Sequence, residues 1–217
     1  MKFFSSDFHY GHKNIVRGTS EWDDVSRCRN FETMEEHNQT LVNNINKTVG
    51  PDDELYFLGD WAFGGFKNIW DFRDQINCNN INFILGNHDG HIRKNKKNPP
   101  DPRFATSLFN EVVGYKELKI GKHLLVMSHY PMISWNNAFK GSIHLHGHCH
   151  GNLVKHKEFD NPEWVGDNLF IHSHRIMDIG VDTHPEFRPY SLDEILDLML
   201  PKKILLGVDH HTQNTQN

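Results

Sequence analysis

The sequence predicts an α/β domain with packed sheets and helices outside them. Short apolar runs of strand composition recur along the chain, amphipathic helical segments separate the early runs, and the length of 217 residues fits one ordinary domain. We take this domain to span residues 1–207 and expect a flexible tail at residues 208–217. The second half is richer in strands than the first.

Composition and net charge limit the classes of protein to which this chain can belong. A net charge of −5 gives no overall attraction to nucleic acid or to anionic membranes. The three cysteines, Cys28, Cys78 and Cys149, are widely spaced and form no paired motif, as is typical of free thiols in a reducing compartment. The sequence contains neither the roughly 20 apolar residues of a membrane helix nor a signal peptide. We therefore expect a cytoplasmic protein without a membrane partner.

Six apolar runs are predicted to be strands, and each is followed closely by Asp, His or Asn, often next to a glycine. In chain order they cover residues 2–5, 55–58, 81–85, 124–127, 143–145 and 176–181.

Three helices are predicted between and after these runs. The first has Asn30 as N-cap and stops at residues 50–51, with apolar side chains at helical spacing along one face. Apolar residues at positions 69, 72 and 76 predict a second, shorter helix. Ser191 and Glu194 form a capping-box pattern that opens a third helix, which ends before Pro201.

The polar residues that follow five of the runs are candidate metal ligands. Because the carboxyl ends of strands in an open α/β sheet form a crevice, we expect these side chains to converge there. Carboxylate, amide and imidazole donors suit borderline divalent metals better than a calcium cage or a thiolate site does. In an extended backbone, ligands two residues apart project from the same face. The candidates are Asp7, His9, Asp60, Asn87, His129, His148 and His150.

Glycine precedes three of these candidates directly: Gly59 before Asp60, Gly86 before Asn87 and Gly147 before His148. A β-carbon at such a position would displace the ligand, so we expect tight packing of the backbone around the site.

Five motifs in fixed order resemble those of the calcineurin-like metallophosphoesterases. They are Asp7-Phe8-His9, Gly59-Asp60, Gly86-Asn87-His88-Asp89, Ser128-His129 and Gly147-His148-Cys149-His150. The opening segment, residues 7–14, is most similar to small bacterial and phage members of that family. Ser128 departs from the family's usual glycine, and we expect little consequence because serine is also small.

The resemblance implies a four-layer α/β/β/α sandwich with two central mixed sheets. It also implies a hydrolase of phosphoric esters that uses two divalent metal ions, with manganese as first choice and iron, zinc, cobalt, nickel or magnesium as alternatives. Two residues carry chemistry besides the ligands: His88 would protonate the leaving group, and Asp89 would orient or charge that imidazole. By the same resemblance Asp7, His9 and His150 hold one metal, Asn87, His129 and His148 hold the other, and Asp60 bridges them.

Several residues near the motifs have two interpretations. His12 and Asn14 either contact a substrate phosphate or hold a turn through side-chain hydrogen bonds. Trp61 and Phe63 either line a substrate pocket or pack beneath it, and for Phe63 we favour packing. For Cys149 we predict a packed side chain that faces away from the ligands beside it.

Structural roles are also favoured for residues outside the motifs. Asp178 and Asp182 are expected to support the site rather than to react. Residues 91–103 are predicted to form a basic surface loop, with attraction of an anionic substrate as the alternative role. The histidines at positions 172, 174, 184, 210 and 211 are expected on the surface or in packing.

The expected partner is a small phosphate ester, with a nucleotide-type substrate favoured. One alternative is a metal-dependent nuclease, which would need a larger basic surface than this acidic chain shows. The other is a non-catalytic binding module, which the complete set of candidate ligands disfavours. The substrate, the native metal and the oligomeric state are set by features that the motifs do not encode.

Overall fold

The computed structural model describes residues 1–93, 108–152 and 174–206. It confirms the α/β class: two mixed sheets pack together with helices around them. The predicted tail at 208–217, residues 94–103 of the basic loop and the histidines at 172, 210 and 211 lie outside the described residues. Among the helices that are described, none has the length and apolar character needed to span a membrane.

The first sheet has five strands in the order β4-β3-β2-β1-β9. Strands β1 to β4 run parallel, and β9 joins the edge beside β1 in the antiparallel sense. These strands are β1 (Lys2–Ser5), β2 (Glu54–Phe57), β3 (Asn80–Ile84), β4 (Glu111–Val113) and β9 (Tyr190–Ser191).

The second sheet has four strands in the order β5-β6-β7-β8. Strands β6, β7 and β8 are parallel, whereas β5 pairs with β6 in the antiparallel sense. These strands are β5 (Lys116–Ile120), β6 (His123–Met127), β7 (Ile143–His146) and β8 (Ile176–Asp178).

Four α-helices are described. Because the side chains of a strand alternate between the two faces of its sheet, each face of the first sheet packs on different elements. One face of the first sheet packs on α1 (Met34–Thr48) and α2 (Phe66–Asp74) through a phenylalanine-rich cluster that includes Phe57 and Phe83. The opposite face packs on the second sheet, and α4 (Leu192–Met199) adds Ile195 to that cluster. The remaining helix, α3 (Gly90–Arg93), is short.

The predicted strands are confirmed, most of them within one residue at each end. The last run is shorter than predicted, because β8 ends at Asp178 and Val181 lies in a 3-10 turn. Strands β4, β5 and β9 were not predicted. β5 lies at a sheet edge and has only two apolar residues, Leu118 and Ile120, so it forms no apolar run, and β4 and β9 are too short to produce a clear period.

The helices are confirmed in place but not at every boundary. Helix α1 begins after Thr33, not Asn30, because the Thr33 side chain accepts a hydrogen bond from the Glu36 amide while Asn30 binds Arg17. The capping box at Ser191 and Glu194 is present as predicted. Residues 91–93 belong to α3 rather than to a loop.

Candidate metal centre

The seven candidate ligands converge at the carboxyl ends of the strands, as the sequence predicts. Those that follow β1, β2 and β3 come from the first sheet, and those that follow β6 and β7 come from the second. Backbone hydrogen bonds join neighbouring strand ends, such as Asp7 N–H to the Gly59 carbonyl at 2.9 Å and Gly147 N–H to the His129 carbonyl at 2.9 Å. The centre therefore lies where the two sheets meet.

The prediction of an extended backbone at the ligands is wrong. Asp7, His9, Asp60, His148 and His150 all have positive φ angles between 49° and 70°. Each of these residues lies just past its strand, where a left-handed residue turns the chain. Backbone turns, and not the two-residue period of a strand, therefore aim these side chains at one another.

The first group of donors consists of Asp7, His9 and His150, whose ligand atoms all lie within 4.8 Å of one another. The Nε2 atoms of His9 and His150 are 3.2 Å apart, and Asp7 Oδ1 lies 3.8 Å and 3.7 Å from them respectively. Burial lowers the pKa of His9 well below its usual range, so that this imidazole is neutral at pH 7. A neutral imidazole has the lone pair that a metal requires.

The second group consists of Asn87, His129 and His148. Asn87 Oδ1 lies 2.8 Å from His129 Nε2 and 3.0 Å from His148 Nδ1. Asp60 stands between the two groups, because its Oδ2 is 3.6 Å from His9 Nε2 and 3.5 Å from His129 Nε2. Asp7, Asp60 and His129 also form a set of donors close enough to share one ion.

The buried carboxylate of Asp7 tests whether these residues fit a metal. Its Oδ2 accepts hydrogen bonds from the Ser6 hydroxyl at 2.6 Å and from the His148 amide at 2.9 Å. Its Oδ1 is buried and accepts no hydrogen bond within the described part of the chain. That oxygen faces His9 and His150, so a cation among the three would satisfy it. The residues fit a metal ion.

Two of the histidines are fixed through the ring nitrogen that faces away from the centre. His129 Nδ1–H donates to the Leu58 carbonyl at 2.7 Å, which leaves Nε2 free to bind a metal. His150 Nδ1–H donates to Asp182 Oδ2 at 2.7 Å and is oriented in the same way. Asp182 therefore has the structural contact with a candidate ligand that its predicted supporting role requires.

Arg29 is a buried residue of this site that was not predicted from the sequence. Its guanidinium forms a two-pronged ion pair with Asp182, with both N–O distances at 2.7 Å, and donates to the carbonyls of Asp7 and Phe8. It also donates to Nε2 of His37, whose pKa burial lowers to about 3. Arg29 lies in an irregular polar stretch, and no motif or period marks it.

The charge of Arg29 decides the ionisation of Asp182. Burial by itself raises the pKa of Asp182, but the Arg29 charge and hydrogen bonds from His150 and Arg29 outweigh burial and hold it far below its usual range. Asp182 is therefore an anion that aligns His150.

The predicted role of glycine before the ligands is supported by the space around them. A β-carbon on Gly86 would lie 2.2 Å from Asp60 Oδ1, and one on Gly147 would lie 2.5 Å from Asp7 Oδ2. One on Gly59 would lie 2.5 Å from the Gly86 amide nitrogen. The strand ends approach one another too closely for any side chain there.

We expect the substitution Gly86→Ala to lower the affinity for divalent metal and to destabilise the fold by about 1–3 kcal/mol, since the new methyl group must displace the Asp60 carboxylate. Calorimetric metal titration and urea unfolding measure both effects. Gly90→Ala is the matched control, because a β-carbon there meets no atom of the described residues within 4 Å. Equal metal affinity of the two variants would contradict this account.

His88 and Asp89 differ in their placement. His88 is exposed beside the donors, with its ring 5.4 Å from that of His9. Asp89 is buried and accepts hydrogen bonds from the amides of Asp60, Trp61 and Gly86 at 2.7–3.1 Å. The prediction that Asp89 orients His88 is therefore wrong: both of its oxygens face the backbone, and it ties the end of β3 to the end of β2.

The remaining candidates surround the His9 side of the centre. His12 Nδ1 accepts from the Asn14 amide and Asn14 Oδ1 accepts from the Glu21 amide, so both hold turns. The His12 ring also faces the site, 5.7 Å from that of His9. Trp61 is buried in the core, whereas Phe63 is 38% exposed and contacts His12 and His88. The prediction that Phe63 packs beneath the site is wrong, because it lies at the rim.

A cleft of about 410 Å³ opens beside His150. Its walls are formed mainly by the loop that precedes α1 and by the chain beyond β7. The lining residues are Ile15, Ser26, Arg27, Cys28, Arg29, His150, Asn152 and Asp182.

No profile of a known protein family matches the chain. The chain is 29% identical over 209 residues to the uncharacterized protein MJ1445 of Methanocaldococcus jannaschii. This match covers 95% of this chain and 96% of that protein. It is 28% identical over 217 residues to the gene 66 protein of Mycobacterium phage L5, covering 91% and 93% of the two chains.

A solved structure has a similar fold. The crystal structure of a protein of unknown function from Aquifex aeolicus, AQ665, superposes with a TM-score of 0.60 at 21% identity and covers 92% of this chain and 99% of its own. The arrangement of strands and helices is thus shared along nearly the whole length.

Proposed function

We propose that the protein is a hydrolase of phosphoric esters that uses two divalent metal ions, with manganese as first choice. The observation that carries this proposal is the position of Asp60 Oδ2, 3.6 Å from His9 Nε2 in one donor group and 3.5 Å from His129 Nε2 in the other. Two metal ions bound at such a centre supply an activated water and neutralise charge on the phosphate. Iron, zinc, cobalt, nickel and magnesium are the alternative metals for such donors.

The residues of the centre would have separate roles in metal binding, ligand orientation and proton donation. Asp7, His9 and His150 would hold one ion, Asn87, His129 and His148 would hold the other, and Asp60 would serve both. The Arg29–Asp182 pair keeps His150 aligned, and the Leu58 carbonyl does the same for His129. His88 is exposed beside the centre, where its imidazole would give a proton to the leaving oxygen.

The fold supports the same proposal. A metallophosphoesterase of this kind is a four-layer α/β/β/α sandwich, and the first three layers match α1 and α2, the five-stranded sheet and the four-stranded sheet. The outer face of the second sheet packs on Trp135, Ala138 and Leu205, none of which lies in an α-helix. Within the described residues, no α-helix of a fourth layer is therefore seen to pack on that face.

A small ester is the favoured substrate. The cleft beside His150 has the size of a small-ligand pocket, for which volumes of about 300–1,000 Å³ are typical. Arg27 is exposed at its wall and could pair with a phosphate or stack on a base. Nuclease activity is the alternative, and the overall charge of −5 disfavours it.

Metal add-back tests the proposal. Protein stripped of metal by chelation should not hydrolyse bis-p-nitrophenyl phosphate or its monoester counterpart, and manganese should restore turnover. The ratio of diester to monoester rates would then select the substrates to screen. Folded protein that binds two ions per chain and hydrolyses neither ester, with any of the six metals, would contradict the proposal.

We expect His88→Ala to lower kcat by roughly 10²–10⁴-fold on esters with a poor leaving group, because a general acid contributes about that much. Metal content should stay unchanged, since His88 is not among the donors. The loss should be much smaller with a p-nitrophenyl ester, whose leaving group needs no proton. His91→Ala, a neighbouring exposed histidine, is the control. An equal loss on both esters would exclude the acid role.

A further inference from the structure

A second cluster of metal-binding side chains lies behind the loop of residues 147–151, which carries His148 and His150. It consists of His146 at the end of β7, Cys149 within the loop and Asp178 at the end of β8. Donor atoms of the three residues all lie within 4.8 Å of one another. His146 and Asp178 are paired in register across the two strands. The cluster shares no residue with the dinuclear centre.

The buried side chain of His146 is the observation that favours a bound ion at this cluster. The side chain is 1% exposed, and its Nδ1–H donates to the Gly147 carbonyl at 2.8 Å. Nε2 must then carry a lone pair. That atom is buried and has no hydrogen-bond partner within the described part of the chain. A buried acceptor without a partner is costly, and a cation would satisfy it.

Cys149 and Asp178 supply the other two donors of the cluster. The Cys149 thiol lies within 4.8 Å of donor atoms of His146 and Asp178 and belongs to neither donor group of the dinuclear centre. The Asp178 oxygens accept from the amides of Gly180 and Gly151 at 2.8 Å and 2.9 Å, which fixes the carboxylate and still leaves lone pairs. Both side chains are partly exposed, so an ion has a route in.

We propose that His146, Cys149 and Asp178 bind a further divalent cation of the zinc type, separate from the two at the dinuclear centre. Imidazole, thiolate and carboxylate are the protein ligands of zinc, and three of them with a water complete a tetrahedron. The Cys149 thiol loses its proton to solvent when the ion binds. The bound ion clamps the loop of residues 147–151 to the ends of β7 and β8.

Cobalt(II) is the probe that separates this site from the dinuclear centre. Only a thiolate ligand gives a sulfur-to-cobalt charge-transfer band in the near ultraviolet, and the dinuclear centre contains no cysteine. Metal-stripped protein titrated with cobalt should therefore develop that band and bind three ions per chain. The substitution Cys149→Ser should abolish the band and leave two ions bound.

Two control variants, Cys28→Ser and Cys78→Ser, remove the other free thiols and should keep the band. Asp178→Asn should weaken cobalt binding at this site while circular dichroism shows an intact fold. Absence of the band at saturating cobalt, or its survival in Cys149→Ser, would overturn the proposal. In either case two bound ions and metal-dependent turnover would still support the dinuclear centre.

Discussion

Replacing Asp60 by asparagine should lower manganese-dependent hydrolysis by roughly a thousand-fold or more. Its carboxylate lies between the two donor groups, and a metal ion contributes several kcal/mol to a phosphoryl-transfer transition state, at about 1.36 kcal/mol for each tenfold in rate. The fold should survive, because asparagine tolerates the left-handed backbone at this position and its oxygen can still accept from the His88 amide.

The experiment measures kcat/KM for bis-p-nitrophenyl phosphate, together with metal content per chain, in Asp60→Asn and in a matched control. Asp52→Asn serves as the control because Asp52 is exposed and lies just before the opposite end of the same strand. Retained turnover in Asp60→Asn with two ions bound would show that Asp60 does not join the two metals.

Replacing Arg29 by methionine should destabilise the protein by about 3–5 kcal/mol, the usual cost of removing one partner of a buried ion pair. Methionine keeps much of the apolar stem, so the loss reports on the guanidinium. Without it, Asp182 loses both hydrogen bonds from the guanidinium and keeps the one from His150, and the Asp7 and Phe8 carbonyls each lose a donor. Metal affinity should fall as well, since His150 loses its fixed orientation.

Urea unfolding of metal-stripped protein measures the loss directly. The control is Arg17→Met: Arg17 is exposed and hydrogen-bonds to Asn30, and its loss should change stability by no more than about 0.5 kcal/mol. The variant Arg29→Lys separates charge from geometry, because an ammonium cannot form the two-pronged contact with Asp182. Stability of Arg29→Met equal to that of Arg17→Met would show that the network contributes nothing.

The strands and their polar ends were predictable for a local reason. An apolar run of four or five residues that stops at Asp, His or Asn needs no knowledge of distant residues, and the carboxyl ends of such strands have a common place in an α/β fold. Asp7, Asp60, Asn87 and His148 follow this pattern. The structure brings all seven candidates together, as their order along the chain led us to expect.

The errors concern features that arise from long-range contacts. Asp89 follows His88 in sequence, but its carboxylate binds amides at residues 60 and 61, which lie on a neighbouring strand end. Phe63 was assigned to packing, yet the turn after β2 carries it outward to His12 and His88. The sequence neighbours of Asp89 and Phe63 indicate neither the hydrogen bonds of Asp89 nor the ring contacts of Phe63.

The α/β class, the places of the main strands and helices, and the seven candidate donors were predictable from the sequence, because period, capping and strand-end chemistry are local. Only the tertiary structure decided how those donors are held. Arg29 meets Asp182 across 153 residues of chain, and five of the seven candidate ligands adopt a left-handed backbone where the two sheets join. Partners brought together by packing leave no periodic signal in the sequence, since either one alone is an ordinary polar residue.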